Sequence, residues 1–278
     1  SGKLRITDFS LLFMKYQGNY FMKKTLIALA VAASAAVSGS AMAWTANGLG
    51  GSVDLGGTLT PADVITPWEV KVGAAVNGLD ADIRKGDTKV SIPVKKAIPV
   101  LGIRTQTTQA FQGQPGISPQ ISYGNAVDVN AFANGRVPLT LEVKNAGDVK
   151  IGTLTSTFAS GSEASWSNHD SSGKFNVFAA NPGDGFFGGL AKSADKISNV
   201  SWSIAASILD EFVANYNAQN APLENSKTED FTKNSVKYSS FYGSGIQAGE
   251  EIKITLDQPA ASDAIAWKAS LPVTVSYQ

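Results

Sequence analysis

The chain has 278 residues, with 23 basic and 23 acidic side chains, one His and no Cys. Without cysteine there is no disulfide framework, no thiolate nucleophile and no Cys-ligated zinc, and a single histidine excludes sites that need two. A hydrophobic share of 43% with 17% charged residues suits a folded chain of one large or two small domains, and excludes a disordered polyelectrolyte or a coiled coil.

The neutral total hides an uneven distribution. The first 43 residues hold five basic side chains (Lys3, Arg5, Lys15, Lys23, Lys24) against Asp8 alone, so the remaining 235 carry 18 basic and 22 acidic groups. An acidic body argues against nucleic-acid binding, which needs clustered Lys and Arg. Met22-Lys23-Lys24 forms a basic n-region, and Leu26 to Val37 an apolar run of twelve residues, too short to span a bilayer. Ala41-Met42-Ala43 is an A-x-A cleavage site. Together they predict a signal peptide over 22–43, cut between Ala43 and Trp44, and an exported mature chain. Residues 1–21 begin with Ser1 and precede the basic end, so they are read as upstream translated sequence.

The mature chain opens with a Gly-rich alternating stretch, Trp44 to Leu59, taken as an N-terminal extension over 44–60. From Trp68 onward short alternating runs predict strands: Glu69 to Val72, Lys89 to Ile92, Val127 to Val129, Leu139 to Lys144 and Val149 to Phe158. The last two flank Asn145-Ala146-Gly147-Asp148, turn chemistry that predicts a hairpin. Strands return after Gly245, at Glu251 to Leu256 and Leu271 to Tyr277. Closely spaced Pro and Gly between these runs fit an all-β sandwich.

The stretch 159–245 departs from this pattern. It holds 12 of the 20 aromatic residues of the mature chain and is rich in Ser, Asn, Gly and Asp. Ile204, Ile208, Phe212 and Tyr216 recur at i+4 with Ala205, Leu209 and Val213 beside them, which predicts a helix over 203–219, ended by Pro222. This stretch reads as an insertion into the domain 61–278.

Enzyme motifs are missing. There is no G-x-S-x-G, no H-E-x-x-H and no EF-hand loop, and Gly243-Ser244-Gly245 with Gly249 misses the dinucleotide fingerprint by one position. His169-Asp170 is a weak base-and-orienter pair, since adjacent residues rarely orient each other. No enzyme activity, cofactor or metal is expected.

The two ends carry the functional signal. Leu49, Gly51, Val53, Leu55, Gly57 and Leu59 occupy every second position, with Gly50, Ser52, Asp54, Gly56 and Thr58 between them. An extended chain puts the first set on one face, apolar but with two gaps where no side chain stands. Glycine weakens a strand unless something bulky must approach it closely, so this segment is shaped to enter a groove; the alternative is an ordinary first strand of its own domain. At the other end Leu271, Val273, Val275 and Tyr277 alternate with polar residues and Pro272, so the terminal strand is either paired on both sides or an exposed edge.

These residues resemble a family. Met22-Lys23-Lys24-Thr25-Leu26-Ile27-Ala28-Leu29-Ala30, the run Gly51 to Gly57 and the penultimate Tyr277 are similar to subunits of the chaperone–usher fimbriae of Gram-negative bacteria. Trp68-Glu69-Val70-Lys71-Val72-Gly73, Lys144-Asn145-Ala146 and Phe186-Phe187-Gly188-Gly189-Leu190 resemble the kappa-class major subunits that are themselves adhesins. The resemblance implies an incomplete immunoglobulin-like sandwich, all-β, completed by an intermolecular donor strand and carrying an inserted subdomain with a helix. It implies a donor strand at Leu49–Leu59 and a chaperone or acceptor edge at Leu271, Val273, Val275 and Tyr277. It also implies a periplasmic chaperone, an outer-membrane usher and identical neighbouring subunits in a head-to-tail polymer on the cell surface.

Host glycoconjugates are the remaining expected partner. Sugar sites need an apolar ring and planar polar groups, and Trp166, His169, Asp170, Lys174, Phe186, Phe187 and Trp202 supply such types within the insertion. The bland alternative for Phe186, Phe187 and Trp202 is core packing. The expected function is a major fimbrial subunit that also binds host glycans; the alternatives are a purely structural subunit and an exported sandwich unrelated to fimbriae.

Overall fold

The computed structural model describes residues 43–61 and 65–278. Apart from Ala43, the expected signal peptide and the stretch 1–21 lie outside the described residues. The chain divides into two units, Ser1–Asp63 and Val64–Gln278.

In the first unit, residues 43–61 form neither strand nor helix. The amide of Gly48 donates to the carbonyl of Thr45 at 3.1 Å, in a turn that puts Asn47 at φ 55. Asparagine tolerates that left-handed conformation better than most residues. Beyond the turn, Leu49, Val53, Leu55 and Leu59 are between 87% and 102% exposed.

The second unit is all-β with a small helical insertion. Its strands are β1 (Trp68–Val72), β2 (Lys89–Pro93), β3 (Ile98–Thr105), β4 (Phe111–Gln112), β5 (Pro119–Ser122), β6 (Arg136–Lys144), β7 (Lys150–Ser167), β8 (Ser172–Asn176), β9 (Lys237–Ile246), β10 (Glu251–Leu256) and β11 (Thr274–Tyr277). One sheet runs β1-β3-β9-β7-β10-β2, with β4 on β9 and with β6 and β8 on β7; β11 and β5 form a second. Every one of these pairings is antiparallel.

The 18-residue β7 joins the halves of the sheet. On one edge it pairs with β10 over Gly152–Thr155 and then with β9 over Ala159–Ser167; on the other it pairs with β6 and then β8. The expected hairpin is β6–β7. Asn145 closes it by accepting from the amides of Gly147 at 2.9 Å and Val149 at 3.0 Å, with Asp148 at φ 64. In β10, Ile252, Ile254 and Leu256 turn inward as alternation requires. Leu101, Ile103, Leu139, Val143, Leu154 and Phe158 form the main core, continuous with an aromatic cluster at one end. There Trp68 meets Phe111 edge-on at 5.0 Å and Phe231 at 5.1 Å, and its indole donates to the Ile117 carbonyl at 2.7 Å.

Three expectations change. Val127 to Val129 is not a strand: Asp128 accepts from the Asn130 amide at 3.0 Å and starts a 3-10 turn, Val129–Ala131. The expected helix over 203–219 is shorter and begins earlier, as α1 (Ser201–Ile208). Leu209 is extended, and a 3-10 turn, Asp210–Val213, follows. Ile204, Ile208 and Phe212 still share a buried cluster. The strand at Val149 to Phe158 continues through Ala159 to Ser167, so both ends of the stretch 159–245 lie within the main sheet.

The helix and the 3-10 turn after it reach the sheet because the strands beneath them lack side chains at three positions. A Cβ on Gly102 would stand 2.2 Å from the Phe212 ring, one on Gly161 2.3 Å from the Ser201 carbonyl oxygen, and one on Gly243 2.8 Å from the Ala205 Cβ. The composition that made this region look unlike strand is therefore what lets α1 lie on strands.

Candidate functional site

A groove runs across the second unit. Its floor is apolar: Leu139 and Leu141 from β6, Leu154 from β7, Ile246 from β9 and Ile252 from β10. Its walls are two stretches of chain, Val72–Asp80 and Ile265–Val273, and its volume is about 760 Å³. Among the described residues, Ala74–Ile83 makes no backbone–backbone hydrogen bond, and Ala261–Val273 makes them only at Lys268, which pairs with Lys144. Both walls thus present unpaired amides and carbonyls beside an apolar trough. Most residues of both walls are exposed, so these groups are open to solvent in the single chain. Trp267 bridges the walls, its indole nitrogen donating to the Leu79 carbonyl at 3.3 Å. Beyond Trp267 the trough continues as a second cavity of about 480 Å³ over Val90, Ile92 and Ile254.

The C-terminal residues singled out from sequence fall along this feature. Leu271 and Val273 line the groove. Val275 and Tyr277 continue the same inward face on β11, whose register with β5 pairs Val275 with Ile121 and Tyr277 with Pro119. In the first unit, Leu49, Val53, Leu55 and Leu59 are the most exposed apolar side chains after Trp44, and a Cβ on Gly51 or Gly57 would meet nothing within 4 Å.

The seven residues singled out for sugar chemistry do not form one cluster. His169 and Asp170 stand at the β7–β8 turn, bonded to each other at 3.0 Å and almost fully exposed. Lys174 on β8 lies 4.0 Å from the carboxylate of Glu163. Phe186 is sealed in the aromatic core at 0% exposure and stacks on Tyr242, so it has no surface to offer a ligand. Phe187 is half-buried, with the Lys192 ammonium 5.9 Å from its ring. Trp202 on α1 is 45% exposed. Trp166 lines a pocket of about 530 Å³ with Phe175, Tyr238 and the segment Lys227–Val236.

Sequence reasoning missed most of that pocket, because its lining comes from segments far apart in the chain that carry no shared motif. Glu229 is held above the usual carboxylate range, mainly by burial. Burial, then the charges of Glu229 and Asp230, push the Tyr238 phenol up. The Tyr238 hydroxyl is buried beside the Lys233 backbone, which opposes that rise.

Comparison with known proteins decides the family. The family described as "Fimbrial, major and minor subunit", of K88 type, matches residues 22–278. K88 fimbrial protein AB of Escherichia coli is 33% identical over 291 aligned positions, which cover 92% of this chain and all of that protein. The chain belongs to the K88-type fimbrial subunits. K88 fimbrial protein AD of the same organism is 32% identical and the F41 fimbrial protein 29% identical, each over 92% of this chain and the whole of the relative.

Membership makes this K88-type subunit a structural protein and not an enzyme, built into fimbriae at the cell surface with other subunits. The exposed pair His169–Asp170 accordingly has no catalytic part. The groove and the pocket share no lining residue.

Proposed function

We propose that this chain is a major fimbrial subunit that polymerises by donor-strand exchange and binds host glycans as an adhesin. The observation that carries the assembly half is the groove between two walls of unpaired backbone, in a chain whose extension alternates apolar and small residues. The extension of one subunit, Leu49 to Leu59, enters the groove of the next. Its backbone bonds the walls, its apolar face covers the floor, and an immunoglobulin-like sandwich is thereby completed between chains. The contact is head-to-tail and does not close on itself, so it makes a filament. During export a periplasmic chaperone lends its own strand to the edge Leu271–Tyr277, and an outer-membrane usher exchanges it. The exported chain begins at Trp44 after cleavage at Ala43.

Such polymers are kinetically trapped once the strand is seated. Purified material run in detergent without boiling should give a ladder of oligomers that collapses to one band on boiling. A single monomer band in both conditions would remove donor-strand exchange from consideration.

The adhesin half rests on aromatic and polar side chains at the surface of the stretch 159–245, Trp202 at 45% exposure among them. Wild-type fibres should bind galactose- or N-acetyl-sugar-bearing glycans on an array. An empty array leaves the purely structural subunit as the reading.

A further inference from the structure

In an Asn-Gly pair the glycine nitrogen can attack the asparagine side chain, because glycine carries no side chain to screen it. Three such pairs lie within the described residues: Asn47-Gly48, Asn77-Gly78 and Asn134-Gly135. In two of them the attacking nitrogen is engaged. Gly48 donates to the Thr45 carbonyl at 3.1 Å, and Gly135 to the Lys196 carbonyl at 2.9 Å. Both sites are also crowded: a Cβ on Gly48 would stand 3.1 Å from the Thr45 carbonyl oxygen, and one on Gly135 3.1 Å from the Ile204 side chain. The related pair Asp184-Gly185 is closed in the same way, its glycine amide donating to the Glu229 carbonyl at 2.7 Å.

Asn77-Gly78 differs on every count. Both residues are exposed and belong to neither strand nor helix. Among the described residues the Gly78 amide donates to no backbone carbonyl. Gly78 sits at φ 75, and a Cβ there would meet nothing within 4 Å. Glycine turns freely in that region, so neither a bond nor a neighbour restrains its nitrogen from reaching the Asn77 carboxamide. The place matters as much as the exposure: Asn77 and Gly78 both line the apolar groove, in the wall Val72–Asp80.

We infer that Asn77 is a spontaneous deamidation site that converts to isoaspartate in the unassembled subunit, and that the conversion closes the groove to assembly. The Gly78 nitrogen forms a bond to the Asn77 side-chain carbonyl carbon, and the carboxamide nitrogen leaves as ammonia, taking up the proton that the Gly78 nitrogen gives up. Water then opens the cyclic imide, supplying the hydroxyl of the new carboxyl group and returning a proton to the nitrogen. Opening at the side-chain carbonyl gives Asp. Opening at the backbone carbonyl gives isoaspartate, whose main chain runs through the former side chain and is one atom longer. A longer wall with an added negative charge no longer matches the bond spacing of an incoming strand. This second half rests on the donor-strand reading. In the fibre the seated strand bonds the wall and holds it extended, so assembly protects Asn77 and only subunits left waiting are retired.

The test ages the exported full-length protein in mildly alkaline buffer, as monomeric subunit and as fibres, and follows each asparagine by peptide mass spectrometry with enzymatic labelling of isoaspartate. In the monomer Asn77 should convert at least tenfold faster than Asn47 and Asn134, and in fibres its rate should fall at least fivefold. Aged monomer should lose polymerisation in proportion to its isoaspartate content. Asn77→Gln, which makes the attacking ring larger and slower to close, should still polymerise after the same ageing. Similar rates at the three asparagines in the monomer overturn the modification site. Conversion at Asn77 with undiminished polymerisation, or an equal loss in Asn77→Gln, overturns its effect on assembly. Fibres that give the boiling-sensitive ladder yet convert as fast as monomer overturn the protection and leave donor-strand exchange standing. Fibres without that ladder overturn donor-strand exchange itself, and the monomer rates decide the modification site independently.

Discussion

Trp267 donates from its indole nitrogen to the carbonyl of Leu79, and among the described residues this is the one hydrogen bond between the two walls of the groove. Trp267 lines both the cavity of about 760 Å³ and the neighbouring one of about 480 Å³, so its ring is the bar that divides the trough. Trp267→Phe keeps a ring and loses the bond, which should cost about 0.5–1.5 kcal/mol. Trp267→Ala merges the cavities and should cost more, though less than the roughly 3–5 kcal/mol of a fully buried aromatic. Urea unfolding of the monomeric subunit measures both. Equal midpoints for Trp267→Phe and the parent would show that the bond contributes nothing.

The contact between the sheet and the 3-10 turn that follows α1 gives a second prediction. Gly102 has no room for a methyl group, since Phe212 occupies the place where its Cβ would stand. Gly102→Ala should destabilise the fold by about 1–3 kcal/mol through overpacking. Phe212→Ala alone should also destabilise, by leaving a cavity. Combined, the two should cost clearly less than their sum, because the methyl group enters the space that the ring vacates. Strict additivity in a double-mutant cycle would argue that Phe212 does not rest on Gly102.

Much of the sheet was legible in the sequence because alternation is a local signal. β10 matches its expected bounds, and the β6–β7 turn was visible in Asn145 to Asp148. β3 and β9 were not legible. β3 has no exposed position and reads as a nearly continuous apolar run, and β9 is dominated by Ser, Gly and Tyr. The i+4 repeat of Ile204, Ile208 and Phe212 identified one buried face, but not the break at Leu209. Beyond the break the chain is tied to the sheet by tertiary bonds: Asn215 donates to the Thr105 carbonyl at 2.7 Å, and Ser165 to the Asn217 carbonyl at 2.6 Å. The pocket beside Trp166 was legible only at Trp166. Its other members come from segments far apart in sequence, and a charged loop carries no periodic signal.

Glu229 should make stability depend on pH. Its folded-state pKa lies above the ordinary value of 4.5, chiefly because burial penalises the charged form, with the Asp230 charge adding to it and the bond from the Phe231 amide opposing it. Well below 4.5 the carboxyl is protonated whether the chain is folded or not, and the penalty is absent. As pH rises through that value toward the raised one, the unfolded chain ionises while the folded carboxyl keeps its proton, so stability falls until the folded group ionises too. Glu229→Gln keeps an acceptor for the Phe231 amide and removes the charge. It should therefore raise the Tm at about pH 7 and leave it unchanged at about pH 3.5. A variant that is no more stable than the parent at neutral pH would contradict this.

Donor-strand exchange makes contrasting predictions at the two ends of the chain. Leu55 stands on the apolar face of the extension and is 93% exposed in the single chain. Seated in a neighbour's groove it would contribute about 1.5–3 kcal/mol by burial, whereas Leu55→Asp would place an unpaired charge against Leu139, Leu141 and Ile252. Gly57→Leu should act similarly if its position passes over a part of the trough that admits only backbone, such as the bar formed by Trp267. Both substitutions lie in the first unit, so both proteins should fold and stay bound to the chaperone, which supplies its own strand. Polymers should be absent from both. Tyr277→Ala lies on β11 and loosens the receiving edge instead, so it should lower the amount of subunit that survives in the periplasm before any polymer forms. Size-exclusion chromatography of surface material, with immunoblots of periplasmic extracts, separates the two behaviours. Polymers of normal length from Leu55→Asp would remove Leu49–Leu59 from the contact between subunits, and the groove would then need another occupant.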